Sequence, residues 1–341
     1  MPTILLSQRP SLMSRILPDQ GAVTDVADRA LEPQPCPPPT NFRAEVDRYD
    51  AQATVSYWSG PRYRMTYRIL GQGPPLIVSP GIASTYRTYA LLLNRLGERF
   101  RTVLYDYPGE HNGDGASLGR ITHDHLVDDL FGLIEHLNIG RVFLLGISFG
   151  STITLKALYR EPRRFPKAAV QGAFAFRSFT RGERWALRLG RLVPGSARQI
   201  PLRRQILTYN TRSEFPSILA DRFDYYLEQN GLTPIRALAH RVKLLTGLDL
   251  RPILAHIPTE LLLIQGNEDR IVASTYFEQL KGALPRAEGL VLPTVGHNPH
   301  QTHAEVMAAL IGDWLLPCAP ESCAGDQRSR AGCETHWSPP E

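Results

Sequence analysis

At 341 residues and 43% hydrophobic composition, the chain is long enough to bury the core of one large α/β domain or two ordinary ones, and its composition does not default to disorder. A 21% charged fraction, with 38 Lys and Arg against 33 Asp and Glu, leaves a net charge of +5, too modest to argue for a nucleic-acid partner. The four cysteines, at 36, 318, 323 and 333, fall outside the stretch that reads as folded, so that stretch carries no disulfide framework and a reducing cytoplasm is the expected location.

The opening MPTILLSQRPSLMSRILP breaks its short apolar run at Gln8, Arg9 and Pro10 and so lacks the continuous apolar region of a signal peptide. No stretch reaches the roughly 18 to 20 apolar residues of a membrane span. Pro33, Pro35, Pro37, Pro38 and Pro39 crowd the end of a polar segment, and residues 1–50 read as a flexible Pro-rich tail that buries too little surface to offset its ordering entropy. Residues 317–341 read the same way. Residues 51–316 form the expected single domain.

Within it, strand and helix alternate. Residues 53–59 (ATVSYWS) and 62–70 (RYRMTYRIL) are β-branched and aromatic around Gly60 and Pro61, which suits an antiparallel hairpin. The apolar strand 76–78 leads through Pro80 and Gly81 into a helical stretch at 86–96. Strand 102–105 ends in Asp106-Tyr107-Pro108-Gly109, and 122–137 carries a clear apolar helical face. Strand 142–145 runs into Gly146, a helix continues to about 160, and strand 168–170 precedes a long insertion. Strands 261–264 and 290–292 and a helix at 302–316 complete the domain. The pattern predicts a mostly parallel sheet of about eight strands with helices on both faces.

Gly146-Ile147-Ser148-Phe149-Gly150 is the strongest chemical signal, because an apolar strand passes there directly into a helix. A serine on so sharp a turn adopts strained dihedrals and needs small flanking residues, while its Oγ projects beyond the sheet edge and the helix N-terminus faces developing negative charge. From this motif onward the chain resembles the α/β-hydrolase superfamily, over roughly residues 53–316. The resemblance implies an acid after a late strand, matched by Asp269 in Gly266-Asn267-Glu268-Asp269-Arg270-Ile271-Val272. It also implies a base after the last strand, matched by His297 in Val295-Gly296-His297-Asn298-Pro299-His300.

Physically, a serine hydroxyl is a poor nucleophile until a histidine accepts its proton and a carboxylate fixes that histidine's tautomer, so Ser148, His297 and Asp269 fill three linked roles. Glu268 is the alternative acid and His300 the competing base within the same loops. The family further implies two backbone donors for an oxyanion: Phe149 N–H, and, from the loop Ser79-Pro80-Gly81-Ile82, the N–H of Ile82. That loop departs from the family's usual His-Gly-x, with proline in the place of histidine. The Asp106 to Gly109 turn also resembles the family pattern and reads as structural.

Residues 177–252 are too long for a simple connection and occupy the place of the family's helical lid. Its first part carries Arg177, Arg181, Arg184, Arg188, Arg191, Arg198, Arg203 and Arg204 against Glu183 alone. A solvated helix face explains this, and so would an acidic partner such as acyl carrier protein, or a membrane surface. Trp185, Leu187, Leu189, Leu192, Phe215, Phe223, Tyr225 and Tyr226 would either line an acyl pocket or pack the lid. Cys318, Cys323, Cys333 and His336 lack the spacing of a zinc site. The reading is therefore a serine hydrolase that cleaves an ester or thioester of a small acyl substrate through an acyl-enzyme, with no metal and no cofactor. Acyl transfer, C–C or amide hydrolysis, cofactor-free peroxidation, or plain small-molecule binding on the same fold are the alternatives.

Overall fold

The computed structural model describes residues 41–316 except 84, 183–184, 186–189, 191–192 and 216–218. A helix, α1 (Phe42–Gln52), precedes the hairpin formed by β1 (Thr54–Ser59) and β2 (Arg64–Leu70), which pair antiparallel. Pro75–Ser79 is β3, every residue of it buried, and Arg101–Tyr105 is β4. Helix α2 (Ala90–Leu96) lies between them, entered through a 3-10 turn at Tyr86–Tyr89. Helix α3 (His123–His136) starts at a capping box in which Thr122 Oγ1 accepts from His125 N–H while His125 Nδ1 accepts from Thr122 N–H.

Phe143–Ile147 is β5, Phe149–Arg160 is α4 and Lys167–Gln171 is β6. The insertion contains α5 (Arg203–Thr211), α6 (Ala220–Leu232), α7 (Ile235–Leu245) and the short α8 (Arg251–Leu254). Then come β7 (Glu260–Gly266), α9 (Ser274–Ala283), β8 (Ala287–Leu292), α10 (Pro299–Thr302) and α11 (Ala304–Leu315). Among the described residues no helix is long and apolar enough to cross a membrane.

The eight strands form one sheet in the order β1-β2-β4-β3-β5-β6-β7-β8, antiparallel at the β1 and β2 edge and parallel from β4 onward. Parallel strands covered on both faces need near-continuous apolar runs, which Leu76, Ile77 and Val78, Leu144 and Leu145, and Leu261 to Ile264 supply. This order sets the C-terminal ends of β3, β5, β6, β7 and β8 side by side along one edge, where the loops that follow them meet.

The expectation of a tail reaching residue 50 does not hold for residues 42–50. Residues 42–50 belong to α1, which buries Phe42, Val46 and Tyr49. The Asn94 amide donates to the Glu45 carbonyl at 2.9 Å and to the Glu45 carboxylate at 2.8 Å, and the Phe42 ring meets Tyr225 of α6 edge-on, centroids 4.8 Å apart. The apolar spacing 42, 46, 49 is helical, and the proline crowding just upstream obscures it. Phe42→Ala should cost about 3 kcal/mol, the usual range for a buried phenylalanine. It should appear as a lower urea midpoint with an unchanged m value, and an unchanged midpoint would mean that α1 contributes nothing to the core.

Candidate active site

The turn from β5 into α4 places Ser148 at φ 50° and ψ −113°, one of few non-glycine residues with positive φ among those described. Such a backbone costs roughly 1–3 kcal/mol and persists only where its surroundings enforce it. Here Ser148 N–H donates to the Gln171 carbonyl of β6 at 2.8 Å, and the Ser148 carbonyl accepts from Ser151 N–H at 2.9 Å and from Ser151 Oγ at 2.6 Å. The flanking glycines are required by close approach. A Cβ on Gly150 would lie 2.0 Å from the Ser79 carbonyl oxygen, and one on Gly146 would lie 2.6 Å from Thr154 Oγ1.

His297, in the loop after β8, presents Nε2 to Ser148 Oγ at 3.0 Å and Nδ1 to Asp269 Oδ2 at 2.7 Å. Asp269, in the loop after β7, has a fully buried side chain, and its Oδ1 accepts from the N–H groups of Ile271 and Val272, both at 2.8 Å. Burial alone would push this carboxyl up, but the His297 ring and the N–H donors more than offset it, so its pKa sits below the usual aspartate value. An ionised carboxylate only accepts, so Nδ1 carries the ring proton and Nε2 is left as the acceptor for the Ser148 hydroxyl. Burial lowers the His297 pKa while Asp269, its hydrogen bond and Glu214 raise it, and the net direction is up from 6.5.

The structure thus brings together Ser148, Asp269 and His297. It does not bring Glu268 or His300 to them in the same way. Glu268 is exposed, and His300 stacks on Tyr89 with centroids 4.9 Å apart, a neutral ring whose pKa burial lowers to about 3. Asp106 is bound instead by Arg68 Nη1 at 2.9 Å and His111 Nε2 at 2.8 Å, in the turn after β4.

The loop after β3 is braced residue by residue. Ser79 Oγ meets Tyr105 Oη at 2.9 Å, the Pro80 carbonyl accepts from Tyr107 Oη at 2.9 Å, and Gly81 N–H donates to Tyr89 Oη at 2.7 Å. The Ile82 carbonyl accepts from Arg241 Nη1 at 2.8 Å. Arg241 comes from α7, is almost fully buried, pairs with Glu110 and lies over the Tyr107 ring. Phe149 is the first residue of α4, where an N–H has no intrahelical acceptor.

Sequence reasoning missed Arg241, Gln171 and Glu214. None sits in a local motif, and each reaches the site across more than 20 residues of chain. The aromatic residues weighed as an acyl pocket pack instead: Phe215, Phe223 and Tyr226 bury one another with centroids 5.5 to 6.4 Å apart, and Tyr225 packs on Phe42. Trp185 is exposed. Of the arginine-rich stretch, Arg203 donates to the Leu227 carbonyl and Arg204 pairs with Asp224, while Arg177, Arg181 and Arg198 are exposed. Glu183, Arg184, Leu187, Arg188, Leu189, Arg191 and Leu192 lie outside the described residues, as do Cys318, Cys323, Cys333 and His336. No group of three or more His, Cys, Asp or Glu among the described residues is arranged to hold a metal.

Fold and site together define the class. Residues 76–310, more than half of the chain, match the model of the alpha/beta hydrolase family, and the chain belongs to that family. Its relatives include the assigned carbamate hydrolase RutD of Serratia proteamaculans, 26% identical over 260 residues that span 74% of this chain and 96% of that protein. Another is the pimeloyl-(acyl-carrier protein) methyl ester esterase of Stenotrophomonas maltophilia, 25% identical over 74% of this chain and 96% of that protein. A hydrolase from Pseudomonas aeruginosa has the same fold, with a TM-score of 0.67 at 21% identity, over 77% of this chain and 98% of that one.

A neutral ring is needed to accept a proton and His297 protonates as pH falls through its raised pKa. Any activity that uses His297 as base should therefore decline on the acid side with a midpoint above 6.5. The pH profile of kcat/KM measures that limb, and a midpoint well below 6.5 would contradict the arrangement of charges around the ring.

Proposed function

We propose that this hydrolase cleaves a carboxylic ester or thioester through an acyl-enzyme on Ser148. The observation that carries the reading is the unbroken chain from Ser148 Oγ to His297 Nε2 at 3.0 Å and from His297 Nδ1 to Asp269 at 2.7 Å, at a serine held in a strained turn. Ser148 Oγ attacks the acyl carbon while its proton passes to His297 Nε2. The carbonyl oxygen becomes an oxyanion that accepts from the N–H groups of Phe149 and Ile82. The bond to the alcohol or thiol breaks and the leaving group takes the proton from His297. Water then attacks the acyl-enzyme, gives its proton to His297, and releases the acid as that proton returns to Ser148 Oγ. Asp269 stays ionised throughout and stabilises the imidazolium formed at each step.

The bracing of residues 79–82 supports Ile82 as the second donor, because Tyr89 holds the Gly81 N–H and Arg241 holds the Ile82 carbonyl, the groups on either side of the peptide that carries the Ile82 N–H. The Stenotrophomonas relative is by its name an ester-cleaving enzyme whose acyl group rides on a carrier protein. We extend that chemistry to this chain as the substrate class, with the helical insertion as lid and exposed Arg177, Arg181 and Arg198 as the face for an acidic carrier.

A series of p-nitrophenyl esters from short to long acyl chains tests the nucleophile. Ser148→Ala should lose roughly a thousandfold or more in kcat with the fold intact, and should no longer be labelled by a fluorophosphonate. Equal turnover by the two proteins would overturn the assignment. Reversing Arg181 and Arg198 to Glu should raise KM for an acyl-carrier thioester, more so at low salt, and leave p-nitrophenyl ester turnover as it was. An unchanged KM would remove the carrier from the reading.

A further inference from the structure

Glu214 ends the 3-10 turn Arg212–Glu214 of the insertion, 3% exposed, and no lysine or arginine pairs with it among the described residues. Its Oε2 accepts from the Asn298 backbone N–H and from Asn298 Nδ2, both at 2.9 Å. On the other side of His297, a Cβ on Gly296 would lie 2.0 Å from Glu214 Cγ and 2.2 Å from Cδ. The carboxylate therefore straddles the backbone of residues 296–298, touching the residue before His297 and bonding the one after it. Glycine at 296 is what leaves room for it.

We propose that Glu214 is a positioning residue of the catalytic centre: it fixes the His297 loop from the insertion side and sets a second negative charge beside the ring that Asp269 already holds. This rests on His297 being the base. A purely structural role accounts poorly for a carboxylate here. Its hydrogen bonds from Asn298 both fall on Oε2, so burial is only partly compensated, and a glutamine would hold Asn298 without the cost of desolvating a charge. What compensates the charge is a cation, and the group that becomes one during turnover is His297.

The titratable neighbours agree. Glu214 faces His297 from the base loop and Tyr226 from α6, and His297 faces Asp269, Glu214, His300 and Arg177. Burial holds the Glu214 carboxyl above its ordinary 4.5, opposed first by His297. Glu214 therefore acts as an anion on the alkaline side of that raised value.

The test is Glu214→Gln, which keeps an acceptor for Asn298 and removes the charge. The His297 ring, followed by its NMR titration in full-length protein, should lose about one unit of pKa, and the acid limb of kcat/KM should move down with it. kcat should fall about tenfold with KM nearly unchanged, because the imidazolium loses one of its two counter-charges. Glu214→Asp keeps the charge and should return the limb towards its wild-type position even if kcat stays low. Gly296→Ala reads the same effect with no change of charge, since its methyl displaces the carboxylate, and it serves alone should Glu214→Gln fail to fold. A His297 titration and acid limb at wild-type positions in a folded Glu214→Gln or Gly296→Ala protein overturn the proposal. The base assignment fails by a different result, Ser148→Ala remaining active, or a His297→Ala protein that retains the acid limb.

Discussion

The structure turns on one close crossing, where the first turn of α4 passes over the C-terminal end of β3. Parallel pairing sets Ser79 beside Gly146, so the chain leaving β5 must turn within two residues and run back across the neighbouring strand. A carbonyl oxygen at the end of β3 then occupies the space that a Cβ on Gly150 would need. The strain at Ser148 follows from that turn, and so does the nearness of residues 80–82 to the serine. Anything that lifted α4 by the width of a methyl group would relax the serine, but it would also separate it from the loop that faces it. The wholly buried strands on either side are what hold the crossing shut, since each removes several large aliphatic side chains from water at about 25 cal/mol per Å².

On this crossing the charges are arranged in two tiers. The sheet supplies Asp269, fixed by two backbone N–H groups of its own loop before it reaches His297. The insertion supplies Glu214 beside the His297 loop and Arg241 beside the loop after β3. The first tier is local, within a few residues of strand ends that the sheet already aligns. The second is remote, and its side chains are held by the packing of α6 and α7, with Phe215, Phe223 and Tyr226 forming a small core under Glu214. The insertion is therefore built into the site.

This division also explains what could be read in the sequence. Strand and helix alternation, the turn at Ser148 and the positions of Asp269 and His297 are local patterns, each written in a handful of adjacent residues, and the fold and the meeting of those three side chains were legible for that reason. Glu268 and Asp269 are adjacent and chemically alike, and only the turn that buries the Asp269 side chain and exposes Glu268 tells them apart. Glu214 and Arg241 carry no such pattern, since a lone acid in a short turn and a lone arginine in an amphipathic helix look like surface. Phe215, Phe223 and Tyr226 read equally as pocket or as packing, because both uses ask for the same residue types. The α1 helix was hidden by composition, with a proline-rich stretch ending only a few residues before Phe42.

The two buried charges constrain how the insertion can work. Separating Arg241 from Glu110 and Ile82 would break a buried ion pair, and leaving a buried charge uncompensated costs about 3–5 kcal/mol. Drawing Glu214 away from Asn298 would leave two donors of the His297 loop unpaired. An opening that lifted α6 and α7 from the sheet would thus dismantle the site it was meant to admit a substrate to.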